Sequence, residues 1–217
     1  MRNFPVPHIQ IEDDVHQEIK EELAPYMKIT AGSGDGSVLK ELPASKAQIP
    51  VVCVTENQWE SIQLRKEFFR KLYVLAYFRH VENAKQLFAF HSENKYLLMS
   101  YHSYLLKQLG AIAANHKQES FTKVRNTYNE KLEELLKYPA KASSHVNVCQ
   151  HIAGYFKHEL TENEKEALKS KMMEYLDGST SLSVITEQLY SLADRYQKDY
   201  LLQQTYFAPY PTYLVTI

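Results

Sequence analysis

Residues 145–158 read His-Val-Asn-Val-Cys-Gln-His-Ile-Ala-Gly-Tyr-Phe-Lys-His. At about 100° per residue, Val148, Cys149, Ile152, Tyr155, Phe156 and Leu160 share one side of a helix with His145. Asn147, Gln150, His151, Gly154, Lys157 and His158 fall on the other side. One apolar face and one donor-rich face predict an amphipathic helix from just after Ser143–Ser144 to about Leu160.

The helical pattern extends both ways from there. Downstream, Thr161-Glu162-Asn163-Glu164 has the form of a capping box, opening a helix that Gly178 closes. Leu182 to Arg195 predicts another, before an aromatic–proline tail, TYFAPYP. Upstream, Phe121 to Tyr138 predicts a helix stopped by Pro139, and Leu87 to Ala114 a long one with Leu98, Leu105, Leu109 and Ile112 on its apolar side. Ile62, Phe69, Leu72, Tyr73 and Ala76 recur at helical spacing in a first helix that starts near residue 60. The expected fold class is all-α, a single multi-helix domain of about six helices with an irregular N-terminal arm.

That arm is residues 1–59, where Pro5, Pro7, Pro25, Pro43 and Pro50 interrupt regular structure. A short helix near Asp14–Leu23 and a strand at Ile49–Val54 are the elements expected in it. Gly32, Gly34 and Gly36 lie in AGSGDGS, which lacks the GK[ST] of a phosphate-binding loop and reads as a flexible turn.

At 217 residues with 44% apolar and 24% charged side chains, the chain can bury a core, which excludes global disorder. No stretch approaches the roughly 18 consecutive apolar residues of a membrane span, and Arg2 and His8 lead into no apolar signal core. A soluble, cytoplasmic protein without membrane association is expected. Cys53 and Cys149 are the two cysteines, with no CxxC pair, which argues against a disulfide scaffold, a zinc ribbon or a self-contained iron–sulfur site. The net charge of −1 is uneven: residues 61–125 hold 11 basic against 4 acidic side chains, between two acidic ends. A basic middle suggests an anionic partner, although a solvated helix surface has the same composition.

Two polar groups stand out. Amides, imidazoles and an ammonium on Asn147, Gln150, His151, Lys157 and His158, with Gly154 among them, could bind phosphates and base edges. The other group is His91, Lys95 and His102, cations along an apolar stripe that suits either a half-buried anion pocket or snorkelling stems. A solvated helix back would look like the first group, so the residues alone leave both readings open. His145 reads as a satisfied core or capping histidine. His151 and His158 stand about 10.5 Å apart along a helix axis at 1.5 Å per residue, too far to share a metal ion. No metal or other cofactor is expected. Neither a GxSxG nucleophile elbow nor an electropositive cysteine context appears, and no pairing proposes an active site.

HSENKYLLM (91–99), QLGAIAAN (108–115), PAKASSHVNVCQHIAGYFKHEL (139–160) and YLLQQTYFAPYP (200–211) together resemble the YbgA-like domain family, over about 60–213. The resemblance implies a family of unknown function whose domain often follows a TudS-like desulfidase domain. That partner holds an iron–sulfur cluster and removes sulfur from thiolated uracil or 4-thiouridine in tRNA. IPVVCVTENQWESIQLRKEFFRKLY (49–73) is similar to the junction in such fusions, so residues 1–59 resemble a remnant or junction of a lost desulfidase domain. With two cysteines the chain lacks the usual three cluster ligands.

The family pattern falls on His91, Lys95, Tyr96, His145, Asn147, Gln150, His151, Gly154, Tyr155 and Lys157. It departs after Gly178, where Ser181 and Ile185 replace expected prolines and Ser191, Leu192 and Asp194 replace basic or imidazole positions. With the basic block and the polar helix face, the resemblance leads to the expectation of a non-catalytic accessory module that binds tRNA or another RNA through His91, Lys95, Tyr96, His102, Asn147, Gln150, His151, Gly154 and Lys157. The 16 tyrosines would fit exposed bases stacking on Tyr96 or Tyr101. Two alternatives accompany it: docking onto a separate desulfidase or repair enzyme, and a small helical enzyme acting through His145 or His151.

Overall fold

The structure, a computed structural model, describes residues 4–5, 7–12, 21, 24, 28–32, 39–41, 61–115 and 119–215. These form two compact units: residues 1–90 with 208–217, and residues 91–207. The strand expected at Ile49–Val54, the Cys53 thiol, His116 and, but for Glu21, the helix expected near Asp14–Leu23 lie outside the described residues.

Within the stretch expected to be an irregular arm, the described residues include three short strands. Strands β1 (His8–Glu12), β2 (Lys28–Gly32) and β3 (Leu39–Glu41) form a sheet in the order β2-β1-β3. β1 is parallel to β2, with Ile9 opposite Ile29, and antiparallel to β3, with Ile9 opposite Glu41. The strands are five, five and three residues long, too short to outweigh the nearby prolines in a reading of the sequence.

Helix α1 (Ile62–Arg79) carries the core of this unit. Ser61 caps it, its hydroxyl accepting from the Leu64 N–H at 3.5 Å. Phe69, Leu72, Tyr73 and Ala76 are buried as their spacing predicts, whereas Ile62 at the helix start is exposed. The aromatic tail returns to α1, with Phe69 and Tyr210 rings 5.7 Å apart and Leu214, in the 3-10 turn Thr212–Val215, wholly buried. Burying such side chains contributes roughly 1.5–3 kcal/mol each.

α2 (Ala84–Glu93) begins in the first unit and ends in the second. The second unit continues with α3 (Lys95–Tyr101), α4 (Ser103–Ala114), α5 (Phe121–Leu136), α6 (Ala142–Ala153), α7 (Glu162–Leu176), α8 (Leu182–Arg195) and α9 (Asp199–Leu202). α6 packs against α3, α7 and α8, so the helix read first from the sequence lies at the centre of this unit. The described residues thus hold nine α-helices instead of about six, mainly because the helix expected over Leu87–Ala114 is three. It breaks at Asn94, which is buried, and again at His102, whose backbone is extended at φ −159° and ψ 102°.

The helix ends follow local chemistry. Thr161 and Glu164 form the expected capping box, with Thr161 N–H donating to Glu164 Oε2 at 2.8 Å and Glu164 N–H donating to Thr161 Oγ1 at 3.3 Å. Gly178 ends α7 at φ +84°, with Ser179 N–H donating to Glu174 O at 2.8 Å in a Schellman motif. Gln197 plays the same part after α8, at φ 50° with Lys198 N–H on Ala193 O at 2.8 Å.

Candidate functional site

Helix α6 divides as its sequence predicts, except at one residue. Val148, Cys149 and Ile152 are wholly buried, as are Phe156 and, nearly so, Leu160 beyond the helix end. Gln150, His151, Gly154, Lys157 and His158 are exposed and Asn147 is half-buried. Among the described residues, the side chains of Asn147, Gln150, His151, Lys157 and His158 make no hydrogen bond or ion pair. Gly154 adopts an ordinary helical φ of −57°, and a Cβ built there would meet nothing within 4 Å. Neither backbone strain nor packing within the chain therefore requires this glycine.

The exception is Tyr155, expected on the apolar face but 41% exposed. From Gly154 the chain tightens into a 3-10 turn, Gly154–Phe156, which rotates these residues off their α-helical positions. The Tyr155 ring stacks on Tyr200 of α9, with centroids 6.0 Å apart and planes inclined by 23°. The Tyr96 ring of α3 meets the same Tyr200 edge-on at 6.4 Å, so Tyr200 touches both tyrosines. Lys95 Nζ lies 5.5 Å from the Tyr96 ring centroid, a cation–π distance. Part of the His91–Lys95–Tyr96 group and the end of α6 thus meet through the tyrosines.

Tyr96 and Tyr101, expected as stacking surfaces, are 2% and 5% exposed and so closed to a ligand. Burial raises the Tyr96 phenol pKa, and the neighbouring Tyr155 raises it further. The Tyr96 backbone N–H donates to Gln204 Oε1 at 3.4 Å, while Gln204 Nε2 donates to Ser92 O at 2.9 Å. Thr205 adds its own N–H to Glu93 O at 2.9 Å. Gln204 and Thr205 therefore satisfy backbone groups exposed by the break between α2 and α3. Their importance was not identified from sequence, although QQT stands inside the motif at 200–211.

The remaining histidines turn elsewhere. His91 Nδ1 lies 2.9 Å from the Tyr128 hydroxyl, and its ring covers Gly110, where an added Cβ would come within 3.2 Å of Nε2. Burial, and then the charge of Lys95, lower the His91 pKa. His102 caps α4, its Nδ1 accepting from Leu105 N–H at 3.3 Å, and its ring packs 4.5 Å from that of Tyr138. His145 is the buried core histidine its position suggests, with Nδ1 3.0 Å from the Tyr206 hydroxyl. That hydroxyl also lies 3.8 Å from Cys149 Sγ. Burial pushes the Cys149 thiol up to about 11, outweighing the opposite effect of Tyr206.

The basic middle is partly neutralised by its own carboxylates. In the first unit, Glu67 lies 3.8 Å from Arg70 and 3.2 Å from Lys71. In the second, Lys123 pairs with Glu119 at 2.8 Å. Lys95 and Lys107 have no ion pair among the described residues. In the divergent stretch, Ile185 fills the core of α8 with no exposure, while Ser181, Ser191 and Asp194 are exposed. Among the described residues, no three His, Cys, Asp or Glu side chains gather as metal ligands would, and no helix is long and apolar enough to cross a membrane.

Comparison with known proteins places this region in a family. The chain is 25% identical to the uncharacterized protein YbgA of Escherichia coli (strain K12) over 126 residues, which are 58% of this chain and 75% of that protein. No solved structure matches. The model for a protein family of unknown function, DUF1722, matches residues 95–211, from the start of α3 through the Gln204–Thr205 anchor to the aromatic tail. By that match, which covers more than half of its length, the chain belongs to the DUF1722 family, the YbgA-like domain that its motifs resemble.

Proposed function

We propose that the second unit is a non-catalytic RNA-binding module whose first candidate ligand is tRNA. The observation that carries this reading is the exposed row of unengaged donors on Gln150, His151, Lys157 and His158. Side-chain amides and cations of this kind hold phosphate and sugar oxygens, which fixes position without reading sequence. Lys95 adds a cation beside the tyrosines that border the same helix end. Cys149 is buried and its pKa is raised, so this thiol is a poor nucleophile. The finer reading, that the RNA is thiolated tRNA destined for desulfidation, rests on the family resemblance.

Fluorescence anisotropy with bulk tRNA, thiolated and unthiolated, tests both levels. Two or three phosphate contacts predict an affinity that falls roughly tenfold between 50 and 200 mM salt. Lys95→Ala, Asn147→Ala and Lys157→Ala should each weaken binding. A preference for thiolated tRNA would tie the module to desulfidation. Absence of binding at low salt would overturn the RNA reading and favour docking onto a separate enzyme.

A further inference from the structure

We infer that Tyr155 is a stacking platform for an unpaired nucleobase, which makes single-stranded RNA the preferred ligand class. This rests on the RNA-binding reading above and adds the group that separates single strands from duplexes. Tyr155 is 41% exposed, less than Tyr104 at 64% or Tyr190 at 45%, and what sets it apart is the near-parallel Tyr200 ring against it. Tyr200 stacks on one face of Tyr155 with centroids 6.0 Å apart and planes inclined by 23°, and among the described residues no second ring stacks on Tyr155.

The ring is also held in place before any ligand arrives. Tyr200 supports it from behind, and Tyr200 is itself met edge-on by the buried Tyr96 ring at 6.4 Å. Tyr200 lies on α9, and the Gln204 side chain, which donates to Tyr200 O at 3.3 Å and to Ser92 O at 2.9 Å, ties that helix to the end of α2. A platform fixed this way loses little conformational entropy on binding. The groups around it are donors of the kind a nucleic acid needs. His151 lies one helical turn before Tyr155, and Lys157 and His158 follow within a turn, all exposed. A strand whose base lies on the Tyr155 ring would bring its flanking phosphates to these donors. In a duplex the base faces are already stacked, so only the phosphate contacts would remain.

The test compares the full chain binding a single-stranded oligouridylate and a blunt RNA duplex of equal length. Tyr155→Ala should weaken oligouridylate binding by about tenfold and leave duplex binding unchanged, the loss expected for one base–aromatic stack. Lys157→Ala should weaken both. Tyr155→Trp should keep or tighten oligouridylate binding, and its added fluorescence should be quenched by the oligonucleotide beyond the response of Trp59, the single tryptophan of the chain. Oligouridylate binding unchanged in Tyr155→Ala, an equal loss for both probes, or an unquenched Tyr155→Trp variant would each overturn the platform and leave the RNA reading standing. Failure of the unaltered chain to bind either probe would overturn both.

Discussion

The Thr205 hydroxyl donates to the Asn94 side-chain oxygen at 2.8 Å, joining residues 111 positions apart, both 2% exposed. Asn94 stands where the chain leaves α2 and re-enters a helix at Lys95, so this bond holds the break on which the start of α3 depends. Thr205→Val keeps the side-chain shape and removes the donor, leaving a buried amide oxygen short of one partner. A loss of about 1–3 kcal/mol is expected, read as a lower denaturant midpoint at constant m-value. Thr205→Ser should retain most of the stability.

The same break shows where the sequence stops being legible. Helices whose ends are set locally were readable: the Thr161–Glu164 box opens α7, and Leu182–Arg195 has the bounds the pattern predicts. The stretch Leu87–Ala114 reads as one helix because its apolar spacing is continuous, whereas its interruption at Asn94 depends on Thr205, far along the chain. The three strands were missed for a related reason, since Ile9 gains its place from Ile29 and Glu41. In the candidate site, the donor face of α6 could be read from a helical wheel. Tyr155 could not, because its direction depends on the 3-10 turn and its support comes from Tyr200.

His102 has a structural task that its place in an RNA site would not reveal. Its Nδ1 accepts from the Leu105 N–H at 3.3 Å and so caps α4. His102→Ala should cost about 1 kcal/mol, while His102→Asn, a good cap without the imidazole, should restore most of it. Thermal denaturation of the two variants checks the cap, and tRNA binding by the stable His102→Asn protein separates it from any contact with RNA.

Two glycines should respond in opposite directions. Gly178 sits at φ +84°, where an L side chain is strained, so Gly178→Ala should destabilise by about 1 kcal/mol or more. Gly154 has φ −57° and open space where a Cβ would go, so Gly154→Ala should stabilise by about 0.4–1 kcal/mol. If the backbone there lies against RNA, the same Gly154→Ala variant will bind RNA less tightly although it is the more stable protein. Chemical denaturation and anisotropy on the same samples read the two effects.

His91 makes stability depend on pH. Its pKa is lowered from 6.5 by burial and by the neighbouring Lys95 charge, so the unfolded chain takes up a proton here more readily than the folded one. The stability this group contributes is complete above about pH 6.5 and falls as the pH drops through that value towards the folded pKa. His91→Gln should flatten the slope of unfolding free energy against pH just below 6.5 relative to the unaltered chain. An unchanged slope would show that the ring is as free to ionise in the folded protein as in the unfolded one.

Cys149 should be inert in the folded protein. It has no exposed surface, its pKa is pushed up to about 11 by burial, and its sulfur lies 3.8 Å from the Tyr206 hydroxyl that also meets His145. A thiol reacts as its thiolate, and that form is scarce four units below its pKa, near pH 7. In a Cys53→Ser background, a disulfide-exchange reagent should therefore label Cys149 only as fast as the protein opens, and quickly once denaturant is added. Tyr206→Phe removes the shared hydroxyl from two buried side chains, so it should lower stability by about 1–3 kcal/mol and hasten labelling in proportion. Rapid labelling of Cys149 at native stability would instead mean that the sulfur is reached without opening the core, and the helical-enzyme reading would then have a nucleophile to build on.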